Sequence, residues 1–290
     1  MRRTHSLVVL ALVAGVLAGC ADRPGGPAEP EAPPPGAGAA PEKADPIALI
    51  GDWTLADAGE DSGKVLRLSA DIQAIPGGGL ELWRSCGSLM GEWRATAGGL
   101  FLGETNAASG CPAGTMVTPD WLDQAAAFKV DGDERVLLDV QGNPVARLTP
   151  GGKPPADAAS GGTPPKVRDG AAQDFAPPAA LPAGLVAADA AALTGRWVPT
   201  GAAAPDKAYA EFLADGSWRG SDGCNGQGGR WLSGAEGAFL ATTGPSTLIA
   251  CDNVPIATWL GEARRSGLDG EILVLLDANA KELGRLQPVK

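Results

Sequence analysis

Residues Ser221–Trp231 read SDGCNGQGGRW, and the fold turns on whether this stretch is a ligand cradle or a hairpin turn. Four glycines, a cysteine and an asparagine separate two apolar runs. Backbone N–H groups in such a segment can wrap an anion. However, GCNGQGG has neither the Gly-Lys-Ser/Thr of a phosphate loop nor the spacing of a dinucleotide fingerprint. A second stretch, Ser85–Trp93, reads SCGSLMGEW and keeps a cysteine and a tryptophan at the same spacing while losing the asparagine and most glycines. The shared framework is cysteine, turn, tryptophan. The reading is therefore a hairpin turn, with glycine and Asn225 accommodating positive φ.

The likeness extends outward. Leu137–Pro150 reads LLDVQGNPVARLTP and Leu275–Pro288 reads LLDANAKELGRLQP, offset by 138 residues, as are Cys86 and Cys224. Between these anchors lie Cys111 with Trp121-Leu122 and Cys251 with Trp259-Leu260. Before them lie GDWTL and GRWVP, and the pairs Trp83-Arg84 and Trp218-Arg219. The eight tryptophans divide four and four, so the chain is read as a tandem duplication.

Each copy is mostly β in pattern. KVLRLSADI and AYAEFLADGSW read as half-buried strands, and GLFLGET, GAFLATT, RVLLDV and EILVLLD as further short ones. VQGNPV and DANAKE mark hairpin turns. One segment per copy, PDWLDQAAAFKV and NVPIATWLGEARR, reads as helical. The expected fold is a mainly β, barrel-like antiparallel sheet with one short helix per domain, its tryptophans filling the core.

Pro, Gly and Ala dominate residues 20–45, which read as a disordered tether, and residues 151–190, which read as a flexible linker. Domain 1 then spans 46–150 and domain 2 spans 191–290. With two cysteines in each copy, equivalence selects Cys86–Cys111 and Cys224–Cys251 among the three connectivities. Each loop of around 25 residues contributes about 3–4 kcal/mol in the chain-entropy model. There is no C-x-x-C motif, and the competing readings, a redox pair or a metal pair, lack a histidine partner.

The N-terminus carries Arg2 and Arg3, an apolar run from Leu7 to Leu17, and then Leu17-Ala18-Gly19-Cys20. It resembles the signal peptide and lipobox of bacterial lipoproteins, which implies cleavage after residue 19 and lipidation of Cys20. The expected location is the cell envelope, anchored to the membrane by acyl chains. The chain has a formal charge of −11, and loss of Arg2 and Arg3 with the leader takes it to −13, which argues against nucleic acid as a partner. Its one histidine, His5, also leaves with the leader, which removes Ser-His-Asp and Cys-His catalysis and histidine metal sites.

The second copy resembles the META domain family, with its HslJ-like bacterial lipoproteins. The resemblance rests on Leu193–Trp197 (LTGRW), Ala214-Asp215-Gly216, Gly223-Cys224-Asn225, the Thr247-x-x-Ala250-Cys251 pattern, and LVLLDANAKEL. It covers residues from about 192 onward. The first copy is divergent: Gly-Cys-Asn is lost, and Ala107 stands where Thr247 stands in the second. The resemblance implies a compact β-barrel-like domain with a short helix, no reaction, and a role in envelope maintenance or stress response.

Arg84 and Arg219 could contact an anionic ligand, or pair with an internal acid. Asp52, Asp139 and Asp277 flank strands and read as solvated edges and turns. VDGDE at 130–134 has too few spaced oxygens for a calcium loop and reads, with LDGEI, as the helix-to-strand turn. No cofactor, metal or catalytic residue is assigned. The expected function is non-enzymatic binding. The alternatives are a carrier of lipid or another small apolar ligand inside the barrel, and a carboxylate-dependent enzyme.

Overall fold

The tryptophan that opens each copy lies opposite the proline that closes it: Trp53 pairs with Pro150, and Trp197 with Pro288. The computed structural model describes residues 44–70, 78–112, 117–156, 158, 163–167, 169–201, 207–247, 249–250 and 252–289. Strands make up 46% of the chain against 14% helix, so the fold is mainly β.

The first copy forms β1 (Gly51–Ala56), β2 (Val65–Ser69), β3 (Gly78–Arg84), β4 (Gly87–Ala95), β5 (Phe101–Ser109), α1 (Asp120–Gln124), β6 (Ala127–Asp131), β7 (Glu134–Leu138) and β8 (Pro144–Pro150). After α2 (Ala171–Asp174), β9 (Val186–Ala187) and α3 (Ala190–Leu193) comes the second copy. It forms β10 (Gly195–Pro199), β11 (Ala208–Phe212), β12 (Ser217–Asp222), β13 (Gly226–Ser233), β14 (Phe239–Ala241), α4 (Ile256–Glu262), β15 (Arg265–Asp269), β16 (Ile272–Leu276) and β17 (Glu282–Pro288). The two sheets run β5-β4-β3-β2-β1-β8-β7-β6 and β14-β13-β12-β11-β10-β17-β16-β15-β9. The first curls until its ends touch, through the bridge Leu100–Ala127, and the second curls until the β14 side reaches β15, next to the terminal β9, through the bridge Ala238–Arg265. Such closure protects sheet edges.

The helices are shorter than their alanine-rich segments suggest. Ala126 N–H donates to Leu138 O at 2.8 Å and Ala127 already belongs to β6, so the sheet ladder overrides helix propensity there.

Side chains fill both interiors. Trp53, Leu66, Leu82, Trp93, Phe101 and Phe128 are among those packed in the first, and Trp197, Phe212, Trp218, Trp231 and Phe239 in the second. In each copy the first tryptophan donates its indole N–H to a carbonyl four residues back: Trp53 to Leu49 O at 2.8 Å, and Trp197 to Leu193 O at 2.7 Å. A large ring is thereby buried with its one polar atom satisfied.

The stretch 169–190, expected as flexible linker, is held in contact with both barrels. Phe175 stacks on Trp93 in the first core at 5.4 Å between ring centroids. Val186-Ala187 pairs with β15, and Arg265 donates to Ala179 O at 2.9 Å. Its Pro and Ala content conceals one aromatic anchor and one strand-forming pair.

The barrels also meet directly, and both lie in one compact unit. The strands contact reciprocally, β5 with β13 and β4 with β14, and these are equivalent strands of the two copies. Leu100, Leu102 and Ala126 of the first copy pack against Leu232 and Leu240 of the second. Leu102 and Leu240 are themselves equivalent at the 138-residue offset. Such reciprocity is the mark of a two-fold arrangement.

Candidate functional site

The Cys224 turn is built around Asn225. Gly223 takes the positive φ, at 105°, whereas Asn225 is not among the positive-φ residues, which corrects the expectation for that side chain. Asn225 is buried, and its amide is fully used. Nδ2 donates to Asp222 Oδ2 at 2.9 Å and to Ile249 O at 3.1 Å. Oδ1 accepts from Thr247 Oγ1 at 2.8 Å and from Ile249 N at 2.7 Å. Two donors and two acceptors are the whole capacity of an asparagine, so none is left for a ligand.

Asp222 completes the knot. Its carboxylate accepts from Cys224 N at 2.8 Å, Asn225 N at 2.6 Å and Asn253 Nδ2 at 2.8 Å. Burial alone would raise its pKa, but the donors of Asn225, Cys224 and Asn253 outweigh that and hold it down to about 2. Cys224 is disulfide-bonded. Its expected partner Cys251 and the lipidation candidate Cys20 lie outside the described residues. Ala250 is exposed.

The glycine kept in both copies answers to close packing. A Cβ on Gly91 would meet Glu104 O at 1.8 Å, and one on its equivalent Gly229 would meet Thr242 O at 2.3 Å. Only glycine lets the neighbouring strand pass there.

The first copy secures its cysteine turn differently. Cys86 and Cys111 form the expected disulfide. Arg84 Nε and Nη2 grip the buried Asp61 carboxylate, each at 2.7 Å, and Trp121 Nε1 donates to the same carboxylate at 3.0 Å. The hydrogen bond to Asp61 raises the pKa of Arg84 despite desolvation. This triad floors a cleft of about 560 Å3 walled by Val117, Pro119 and Val145, with Asp57, Glu60 and Asp120 also in its lining. That volume suits a small ligand or a short side-chain cluster.

Arg219 has no such setting. It is exposed on β12 and pairs with Glu211 at 2.9 Å. The repeat pairing of Trp83-Arg84 with Trp218-Arg219 is also corrected by register. Leu80 lies opposite Gly91 as Trp218 lies opposite Gly229, so Trp218 is the equivalent of Leu80. A shared Trp-Arg dipeptide suggested the match, but the cysteine turn fixes a different alignment.

Asp139 and Asp277 cap equivalent turns. Asp139 Oδ1 accepts from Gln141 N and Asn143 N, and Asp277 Oδ1 from Asn279 N and Lys281 N. Asp52 differs from the expected solvated edge: it is buried and bidentate with Arg67, at 2.7 and 2.9 Å. VDGDE and LDGEI join paired strands, β6 with β7 and β15 with β16, so they are hairpin turns rather than the expected helix-to-strand turns, with Gly132 and Gly270 at φ 58° and 61°. Among the described residues, no group of three or more His, Cys, Asp or Glu is placed to hold a metal.

The sequence reading missed the charged cluster between the barrels. Glu92 and Arg94 of β4 and Glu104 of β5 meet Arg230 of β13, Thr242, Thr243 and Gly261. Thr243 N donates to Glu92 Oε1 at 2.7 Å, and Arg94 Nη2 donates to Glu92 Oε2 at 3.2 Å. Arg94 also donates to Gly261 O, and Thr242 Oγ1 donates to Glu104. Arg230 reaches back to Gly103 O and Leu122 O, each at 3.2 Å, and to Asp123 Oδ1 at 3.1 Å. The buried Arg94 Nε has no hydrogen-bond partner. The one available signal was the charge reversal at equivalent positions, Glu92 against Arg230.

No family model, curated protein or solved structure matches this chain.

Proposed function

We propose that this chain is an exported envelope lipoprotein of two META-like domains, held to a membrane through acyl chains on Cys20 and acting by binding rather than by catalysis. The observation that carries the binding reading is the pair of filled interiors, Trp93, Phe101 and Phe128 in one and Trp218, Trp231 and Phe239 in the other. Such cores leave binding to the outer surfaces rather than to a barrel lumen. The cleft over Arg84, Asp61 and Trp121 is the surface best shaped for it. Asp61, the acid on its floor, is occupied by Arg84 and Trp121, which supports a recognition role over general-base chemistry. Envelope maintenance or stress response is the setting that the lipobox and the META resemblance suggest.

Native mass spectrometry of the protein purified from its own membrane tests this reading. The expected species starts at Cys20, carries acyl mass, and retains a partner or ligand that Trp121→Ala releases. A chain without acyl mass on Cys20 overturns the anchoring. Retention unaffected by substitutions in the cleft moves the binding surface elsewhere.

A further inference from the structure

We infer that the face between the two barrels is a proton-dependent clasp, in which Glu104 takes up a proton as the barrels close on each other, so that acidity tightens the pair and alkalinity loosens it.

The geometry carries this. Glu104 projects from β5 into the interface, where, among the described residues, its hydrogen bond comes from the neutral Thr242 hydroxyl of the other barrel. No cation lies within ion-pair distance of it among the described residues. Glu92 stands beside it on β4 but is held by Arg94 and Thr243 N. Arg230 of β13 turns its Nε to Asp123 of α1, at 3.1 Å, and its other donors to carbonyls. The charged groups that act on Glu104 are Glu92, Asp123 and Arg230, with Arg94 paired to Glu92. Two of the three are acids.

Burial first, then the neighbouring Glu92 and Asp123, push the Glu104 carboxyl above its ordinary value; the Thr242 hydroxyl and Arg230 oppose this. Glu92 moves the same way by desolvation, against Arg94. Burial pushes the guanidinium groups of Arg94 and Arg230 down, but an arginine keeps its charge in proteins. A carboxyl whose pKa is raised on docking favours docking fully below its ordinary value of 4.5, and that contribution is lost as pH rises through the raised value. Between the ordinary and the raised value each pH unit weakens docking by up to about tenfold per proton, and above the raised value the dependence levels off.

The test is a carbon-detected NMR titration of glutamate carboxyls in the full chain, with Glu104→Gln assigning the signal. Glu104 is expected to titrate above the ordinary glutamate range. In Leu240→Asp, which places a charge in the apolar strip between the barrels, its midpoint is expected to return to that range. A Glu104 midpoint at or below the ordinary range overturns the clasp, as does one that stays raised in Leu240→Asp while the barrels separate. Urea midpoints at about pH 5 and about pH 8 supply a second readout. The wild-type midpoint should fall over that interval more than that of Glu104→Gln, and parallel falls count against the proposal.

Discussion

Asn225 Oδ1 accepts the hydroxyl of Thr247 at 2.8 Å, joining the cysteine turn to the loop that leads towards Cys251. Two pieces of the motif, 22 residues apart, are thus one hydrogen-bonded unit. Asn225→Ala is expected to cost about 2–4 kcal/mol, because Asp222, Thr247 and Ile249 all lose a partner. Asn225→Asp should be worse, since it sets a second carboxylate against Asp222. Urea unfolding measures both, and a cost below about 0.5 kcal/mol for the alanine variant would remove Asn225 from its role as hub.

Acid should loosen the second domain at this corner. The Asp222 pKa is lowered from 3.8 to about 2, so its contribution is complete above 3.8 and is lost as pH falls towards 2. Asp222→Asn should flatten that part of the stability profile. Thermal melts between about pH 5 and about pH 2 check this, and an unchanged slope in the variant contradicts it.

The glycines of the opening stretch should separate sharply by position. Gly229→Ala puts a methyl group 2.3 Å from Thr242 O and should cost about 1–3 kcal/mol. Gly226 has nothing within 4 Å of such a methyl and no positive φ, so Gly226→Ala should stay within about 0.5 kcal/mol. Equal effects in denaturant titrations would refute the packing account.

The two arginines that looked alike in sequence should also part. Arg84→Ala leaves the buried Asp61 with only the Trp121 indole and should cost about 3 kcal/mol. Arg219→Ala breaks an exposed, solvent-screened pair and should leave the melting temperature nearly unchanged. Matching losses in melting temperature would mean that Asp61 is solvated on losing Arg84.

Removing the first disulfide by Cys86→Ser with Cys111→Ser should cost about 3 kcal/mol, given a sequence separation of 25 residues. Unfolding under reducing conditions should then leave wild type and variant alike in this domain.

Much of the architecture was legible before any coordinates. Cys86 with Trp93, Cys224 with Trp231, and the paired Leu-Leu-Asp segments exposed the duplication. Alternating strands with the Ala-Asp-Gly turn at Gly216 marked a hairpin that needs positive φ, whereas the turns at Gly132 and Gly270, expected to lead from helix to strand, join two strands instead. These are local signals of period and backbone conformation. The role of Asn225 was half visible: its motif was read, but as a matter of φ rather than of hydrogen bonding. Arg84 and Arg219 were indistinguishable because Asp61 lies 23 residues from Arg84.

The sequence by itself determined that there are two copies, that each is a sheet of short strands, and where the cysteine turns fall. It could do so because strand period, turn chemistry and repetition are written over a few residues at a time. Only the tertiary structure decided that Asn225 is a saturated hub, that Arg84 closes over Asp61, and that Glu92, Glu104 and Arg230 share a face between the barrels. Those outcomes depend on which groups are withdrawn from water together, and partners up to 167 residues apart are chosen by packing that no local pattern encodes.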